Sequence, residues 1–155
     1  MPATDRPPRM LITTGSTSTL TRFLLPYARH YRERGWRVDA ATYRGPDCEA
    51  CVEAFDHVHH VPWTRNPLDP VNMVRAPAVL RALVREHGYD LVHSHDPIAS
   101  FVTRFALRGL RRRTGLQVVY TAHGFYFYPG APRARNLAFG TLERLARFRA
   151  RGAPG

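Results

Sequence analysis

Three short stretches place reactive side chains where an apolar, strand-like run stops. "VVYTAHGFYFYPGAP", residues 118–132, ends such a run on His123 and Gly124 and then crowds Phe125, Tyr126, Phe127 and Tyr128 behind them. "YDLVHSHDP" runs into His93, His95 and Asp96 ahead of Pro97, and "RMLITTGSTST" runs into Gly15, Ser16 and Thr17. An imidazole at a strand end can donate a hydrogen bond to a hydroxyl or exchange a proton near neutral pH. A glycine after it lets the chain turn away and keeps that space open. The rings behind His123 could wall a sugar or an apolar chain, and they could equally plug a core. Backbone N–H groups of Ser16 and Thr17 at a helix start suit an anion, through orphan donors and the helix dipole. A capped helix start after a turn explains them about as well. The strict G-x-G-x-x-G fingerprint is absent, so no nicotinamide cofactor is inferred.

Strand alternation puts His93 and His95 on one side. His93 reads as a packed core histidine and His95, at the open end, as a cleft residue. Two histidines two apart with no further ligands in evidence do not make a metal site. Cys48 and Cys51 form "CEAC". A closed zinc site needs four ligands and no second cysteine pair exists; a mixed site with His57, His59 and His60 is conceivable, but their irregular spacing disfavours it. The motif does not sit between a clear strand and a helix, which disfavours a redox pair. The expectation is two free thiols in or near a loop of a cytoplasmic protein.

These side chains need elements to hold them. "RMLITTG" reads as a buried strand and "LTRFLLPYARHYRERG" as a helix with Leu20, Phe23, Leu24, Tyr27 and Tyr31 inward, kinked at Pro26 and closed by Gly35. "WRVDAATY" reads as a strand, "RGPDCEAC" as a loop, and "HVHHVP" as a short strand. "VNMVRAPAVLRALVREHG" has helical spacing at Val71, Val74, Val79, Leu83 and Val84, with Pro77 a kink or a second start and Gly88 the end. "YDLVHSH" is a strand. "IASFVTRFALRGLRRR" is a helix with Ile98, Phe101, Val102, Phe105 and Leu110 inward. "LQVVYTAHG" is a strand and "RNLAFGTLERLARF" a last helix. Strands alternating with helices predict an α/β, Rossmann-like, doubly wound and mostly parallel sheet in a single domain. Ligands collect beyond the carboxyl ends of such strands, where the three motifs fall.

A chain of 155 residues with 44% apolar composition suits one domain. Residues 1–8 and 149–155 read as disordered, leaving 9–148 as the domain. No run of about 18 apolar residues offers a membrane span, and the charged, proline-rich start is unlike a secretory signal. The net charge is +11, and all 23 basic residues are arginine. Arg104, Arg108 and Arg111 recur at helical spacing, with Arg112 and Arg113 beyond, and Arg22, Arg29, Arg32 and Arg34 line the first helix. Solvated faces account for most such runs. The functional alternative is attraction to an anionic membrane, which salt would weaken. Nucleic-acid binding is the rival reading of the charge, but no helix-turn-helix, zinc-finger or ribonucleoprotein signature accompanies it, so no nucleic acid is expected as a partner.

"DLVHSHDPIASFVTRFALR" and "VVYTAHGFYFYPGAP" resemble the N-terminal domain of family 4 glycosyltransferases, retaining enzymes of two-domain GT-B architecture. The bacterial members that build capsular, exo- and lipid-linked polysaccharides are the most similar. "RFLLPYARHYRERGWRVDAATY" and "VPWTRNPLDPVNMVRAPAVLRALVREHGYDLVHSH" extend the likeness over roughly residues 9–148. The resemblance implies a nucleotide-sugar donor, a saccharide or lipid-linked acceptor, and no metal or other cofactor. His123 would face the donor sugar near the reacting carbon. The loop at Gly15, Ser16 and Thr17 would approach the donor diphosphate. His95, Asp96, Gly124, Phe125 and Tyr126 would border the acceptor side.

Two departures stand out. Many relatives have paired glycines where this chain reads "GSTST". In the family a C-terminal domain binds most of the nucleotide and supplies an acidic pair seven residues apart, whereas Glu143 is the one carboxylate after Asp96 here and position 151 is arginine. The sequence therefore reads as half of a GT-B enzyme, truncated and inactive alone, for which a separate chain would have to supply the donor-binding domain. A folded remnant without activity is the third reading.

Overall fold

The computed structural model describes residues 6–64, 66, 69–123, 130 and 132–146. Five strands form one sheet: β1 (Arg9–Thr13), β2 (Arg37–Thr42), β3 (His57–His60), β4 (Leu91–His95) and β5 (Gln117–Thr121). All pairings are parallel, and the spatial order is β3-β2-β1-β4-β5. Between the strands run α1 (Thr17–Thr19) continuing into α2 (Leu25–Arg32), then α3 (Glu49–Ala54), α4 (Ala76–His87) and α5 (Pro97–Thr114). The chain divides into two compact units at His123, and α6 (Arg133–Ala146) belongs to the second.

β1 is central, and its alternation builds a core on each side of the sheet. Met10 and Ile12 join Leu20, Leu24, Ala28, Val38 and Ala40 on one side. Leu11 joins Ala41, Leu80, Val92, Val102 and Leu107 on the other. Both faces of the sheet are covered in this way at its centre, so β1, β2 and β4 are buried almost throughout, while the edge strands β3 and β5 are partly exposed.

The helices differ from expectation in a consistent manner. A π-helical segment, Leu20–Leu24, precedes α2, and another, Val71–Arg75, precedes α4. In each case a proline, Pro26 or Pro77, sits two residues beyond. Proline lacks an N–H and its ring crowds the carbonyl four residues back. The residue before each proline bonds five residues back, Leu25 N–H to the Leu20 carbonyl and Ala76 N–H to the Val71 carbonyl. One widened turn thus accommodates each proline. The widening also shifts the helical phase. Leu20, Leu24 and Ala28 point inward, while Phe23 and Tyr27, expected there, are about half exposed. Val74 is exposed and Asn72 is buried in its stead, and Phe105 of α5 is exposed while Ser100, Thr103 and Arg104 are buried.

"RGPDCEAC" is not the expected loop. It forms a 3₁₀ turn, Gly45–Asp47, and then α3. Cys48 and Cys51 are not free thiols but a disulfide. The start of the chain is also held: Arg6 makes a bidentate pair to Asp90 at 2.9 and 3.0 Å. Residues 1–5 and 149–155, read as disordered, lie outside the described residues. Gly45 is needed for space. A Cβ there would sit 2.6 Å from Val58 Cγ1 and 2.9 Å from Thr42 Cγ2. Gly45→Ala is expected to cost about 2 kcal/mol by overpacking the β2–α3 junction, measured by urea denaturation.

Candidate active site

The sheet reverses direction of winding between β1 and β4, and the crevice at such a switch point opens beyond their carboxyl ends. Gly15 lies past β1, Asp96 past β4 and His123 past β5. The Gly15 N–H donates to Asp96 Oδ2 at 2.8 Å, and the Thr19 hydroxyl lies 3.4 Å from both carboxylate oxygens. Gly15 is therefore tied by its amide. It has no left-handed φ, and a Cβ would meet Asp96 Oδ2 at an ordinary 3.6 Å.

Asp96 holds this contact from a left-handed backbone, φ 67° and ψ 140°. Such a conformation in a residue other than glycine costs about 1–3 kcal/mol. Its carbonyl accepts the Ser100 N–H at 2.9 Å, opening α5. Asp96→Ala keeps the strain and loses the carboxylate, whereas Asp96→Gly loses the carboxylate and relieves the strain. Chemical denaturation is expected to rank the glycine variant above the alanine one by about 1 kcal/mol.

Three histidines form a continuous row. His93 and His95, on the same side of β4, have ring centroids 4.2 Å apart. His95 Nδ1 lies 2.9 Å from His123 Nε2, and those rings are stacked at 5.1 Å. Phe23 stacks on the other side of His123 at 5.6 Å, and Tyr27 meets His93 edge-on at 6.5 Å. Phe23 and Tyr27, which turn away from the core, thus meet this edge. His93 Nε2 bonds the Thr121 hydroxyl at 2.8 Å.

The burial of the pair on β4 is the reverse of expectation. His95 is buried, 1% exposed, while His93 is half-buried and His123 is exposed. Burial, reinforced by the neighbouring His93 and His123, pushes His95 down to about 3, so its ring is neutral. The unfolded chain binds a proton there below its ordinary value near 6.5, and the folded state refuses it, so this histidine subtracts stability as pH falls. Among the described residues its Nε2 has no hydrogen-bond partner. A neutral His95 engages His123 through Nδ1 and thereby occupies Nε2 of His123. The Nδ1 edge of His123 is what remains for a ligand.

Beside this row, at the carboxyl ends of β1 and β2, a cavity of about 330 Å³ is lined by Ser16, Thr17, Tyr43, Arg44, Asp47 and Cys48. Arg44 pairs with Asp47 at 2.7 Å. Gly124, Phe125 and Tyr126 lie outside the described residues. Among the described residues no three histidine, cysteine, aspartate or glutamate side chains converge as a metal site would require. No helix among them is long and apolar enough to cross a membrane. Arg104, read as part of a basic surface, is buried, with its Nε donating to the Ser100 carbonyl and its guanidinium 4.6 Å from the Tyr120 ring centre.

Five parallel strands in 3-2-1-4-5 order, with glycine, aspartate and histidines gathered at the switch point, define a Rossmann-like domain of the GT-B glycosyltransferase type. Residues 18–153 match the model of the glycosyl transferase 4-like domain, and the chain belongs to that family. It is 34% identical over 122 residues to EpsD of Bacillus subtilis (strain 168), assigned as a glycosyltransferase, which covers 79% of this chain and 30% of EpsD. Its fold is similar to that of Acinetobacter baumannii MurG, with a TM-score of 0.61 and 14% identity over 88% of this chain and 40% of MurG. It is also similar to sucrose-phosphate synthase of Thermosynechococcus elongatus, with a TM-score of 0.56 and 17% identity over 91% of this chain and 40% of that one. The chain spans less than half the length of each. The resemblance drawn from "HSHDP" and "YTAHGF" thus holds for family and fold.

Proposed function

We propose that this domain forms the acceptor-side half of a retaining sugar-transfer site, taking a sugar from a nucleotide-sugar onto a saccharide or lipid-linked acceptor. The observation that carries this reading is the His95–His123 pair at the switch point. It presents one exposed imidazole edge, held in a fixed orientation by a buried neutral partner. A retaining transfer passes through an oxocarbenium-like state, which preorganised dipoles and hydrogen-bond acceptors near the sugar stabilise. His123, donating through Nε2 to His95, offers Nδ1 as such an acceptor to a sugar hydroxyl. The first loop contributes less to the diphosphate than its glycine suggests, because the Gly15 amide is spent on Asp96 and a carboxylate there repels phosphate. The Ser16 and Thr17 amides remain for that contact, and Asp96, with His95, borders the acceptor.

Arg108, Arg112 and Arg113 are exposed on α5, and Arg22, Arg29, Arg32 and Arg34 on or beside α2. These faces favour an anionic membrane on the cytoplasmic side, where a lipid-linked acceptor would lie. Nucleotide binding requires a donor-binding domain, supplied here in our reading by further protein. The test is a fusion of this chain to the C-terminal domain of EpsD, assayed for sugar release from a panel of nucleotide-sugars. Turnover that depends on His123 supports the proposal. A folded fusion that binds nucleotide but shows no transfer with any donor or acceptor tried sinks it in favour of a non-catalytic domain.

A further inference from the structure

The Cys48–Cys51 pair is unused by the transfer reading, and its placement differs from what its sequence suggested. It lies after β2 and opens a helix: Cys48 is the residue that caps α3, and Cys51 is in its first turn. That is the strand-to-helix setting in which a C-x-x-C pair does redox chemistry. The two sulfurs are bonded. They are not equivalent. Cys51 is fully buried against Met10, Ile12, Leu20 and Ala54, whereas Cys48 is half-buried and lines the cavity of about 330 Å³ that opens past β1 and β2. A bridge across three positions constrains the unfolded chain far less than a long-range one, so bracing the fold is a poor account of it.

We propose that Cys48–Cys51 is a thiol–disulfide exchange site, in which Cys48 is the sulfur attacked and Cys51 the buried sulfur that leaves. The partner is a thiol small enough to enter the cavity. Its thiolate attacks Cys48 Sγ in line with the S–S bond. That bond breaks, and Cys51 departs as a thiolate that takes a proton from water, leaving a mixed disulfide on Cys48. A second thiolate then attacks the partner's sulfur and releases Cys48. Two thiols are oxidised to one disulfide, and the protein gains two electrons and two protons. Arg44 and Asp47, paired in the same cavity, put both signs of charge at its mouth, so a zwitterionic thiol fits better than a strongly charged one. Ser16 and Thr17 line the same cavity, so an adduct on Cys48 occupies space beside the loop assigned to the diphosphate. That consequence rests on the transfer reading; the exchange chemistry does not.

The full 155-residue chain is sufficient for the test. After oxidation the protein is expected to show no titratable thiol, and two after dithiothreitol. Incubation of reduced Cys51→Ser with oxidised glutathione is expected to give one adduct, located on Cys48 by peptide mass spectrometry. Cys48→Ser treated alike is expected to give none on Cys51. Since replacing a buried sulfur can impair folding, the reduced wild-type protein is also pulsed with iodoacetamide, and Cys48 is expected to alkylate at least about tenfold faster than Cys51. Free thiols persisting in the oxidised protein, equal alkylation, or an adduct on Cys51 would overturn the assignment. Transfer assays are not needed for any of these readouts.

Discussion

His123→Ala is expected to lower sugar transfer by the fused enzyme about 100-fold, the usual loss when one preorganised hydrogen-bond partner aimed at a developing charge is removed, while the melting temperature stays nearly unchanged. The two halves of this expectation have separate causes. His123 is exposed, and its contacts are a ring stack on Phe23 and one hydrogen bond to His95. Little packing is lost with it. The loss should fall on kcat, because the contact strengthens as positive charge builds on the sugar. His123→Gln retains an acceptor without the ring and is expected to recover part of the rate. His95→Phe tests how the pair works. It keeps a ring in the buried slot but frees His123 Nε2, so His123 is no longer fixed in orientation. A loss in kcat smaller than that of His123→Ala, together with a changed His123 tautomer by ¹⁵N NMR, marks His95 as a positioning residue. Were His123 only a packing piece, its alanine variant would melt earlier and turn over normally.

How much of this was legible depended on distance along the chain. β1, β2 and β4 are readable because a strand buried on both faces is a short apolar run that needs no partner to be recognised, and β5, an edge strand, because its apolar run is as short and as clearly bounded. Their alternation with helices implies parallel pairing, and the same-side placement of His93 and His95 follows from strand geometry alone. The helix faces were misjudged at Phe23, Tyr27, Val74 and Phe105. For the first three the reason is local: each lies in or just after a π turn ahead of Pro26 or Pro77, where side chains no longer follow the 3.6-residue spacing. α3 escaped notice because it has six residues and follows a Gly-Pro turn and a cysteine, which resemble turn chemistry. The His95–His123 bond spans 28 residues and depends on register between β4 and β5, which no spacing reveals. The buried ion pair on β2 was hidden for a similar reason, since Asp39 in "WRVDAATY" looks like the polar member of an alternating strand.

That ion pair carries the largest expected effect on stability. Asp39 is fully buried, and Arg37 reaches it through Nε at 3.2 Å and Nη2 at 2.9 Å. The Tyr89 hydroxyl donates to Asp39 Oδ2 at 2.5 Å, across 50 residues of sequence. His59 Nε2 stands 3.7 Å away, an ion-pair distance beyond hydrogen bonding. Burial alone would raise the Asp39 carboxyl; the contacts from His59, Arg37 and Tyr89 more than reverse it and hold it well below the usual carboxylate range. Burial and the same carboxylate push the Tyr89 phenol up, so it stays a donor. Asp39→Ala strands the Arg37 charge and the Tyr89 hydroxyl at once. The expected cost is about 3 kcal/mol, from breaking a buried pair and orphaning a polar group. Asp39→Asn keeps an acceptor for Tyr89 and should cost less. The pH profile supplies the second check. A carboxylate depressed in the folded state contributes its stability above the unfolded value near 4 and loses it as pH falls below that. Wild-type protein should therefore weaken between pH 4 and its own lower titration point, and Asp39→Asn should lack that component of the acid limb, as measured by urea denaturation at stepped pH. Equal acid slopes for the two proteins would mean that the charge at position 39 contributes nothing to holding β2 against the segment that leads into β4.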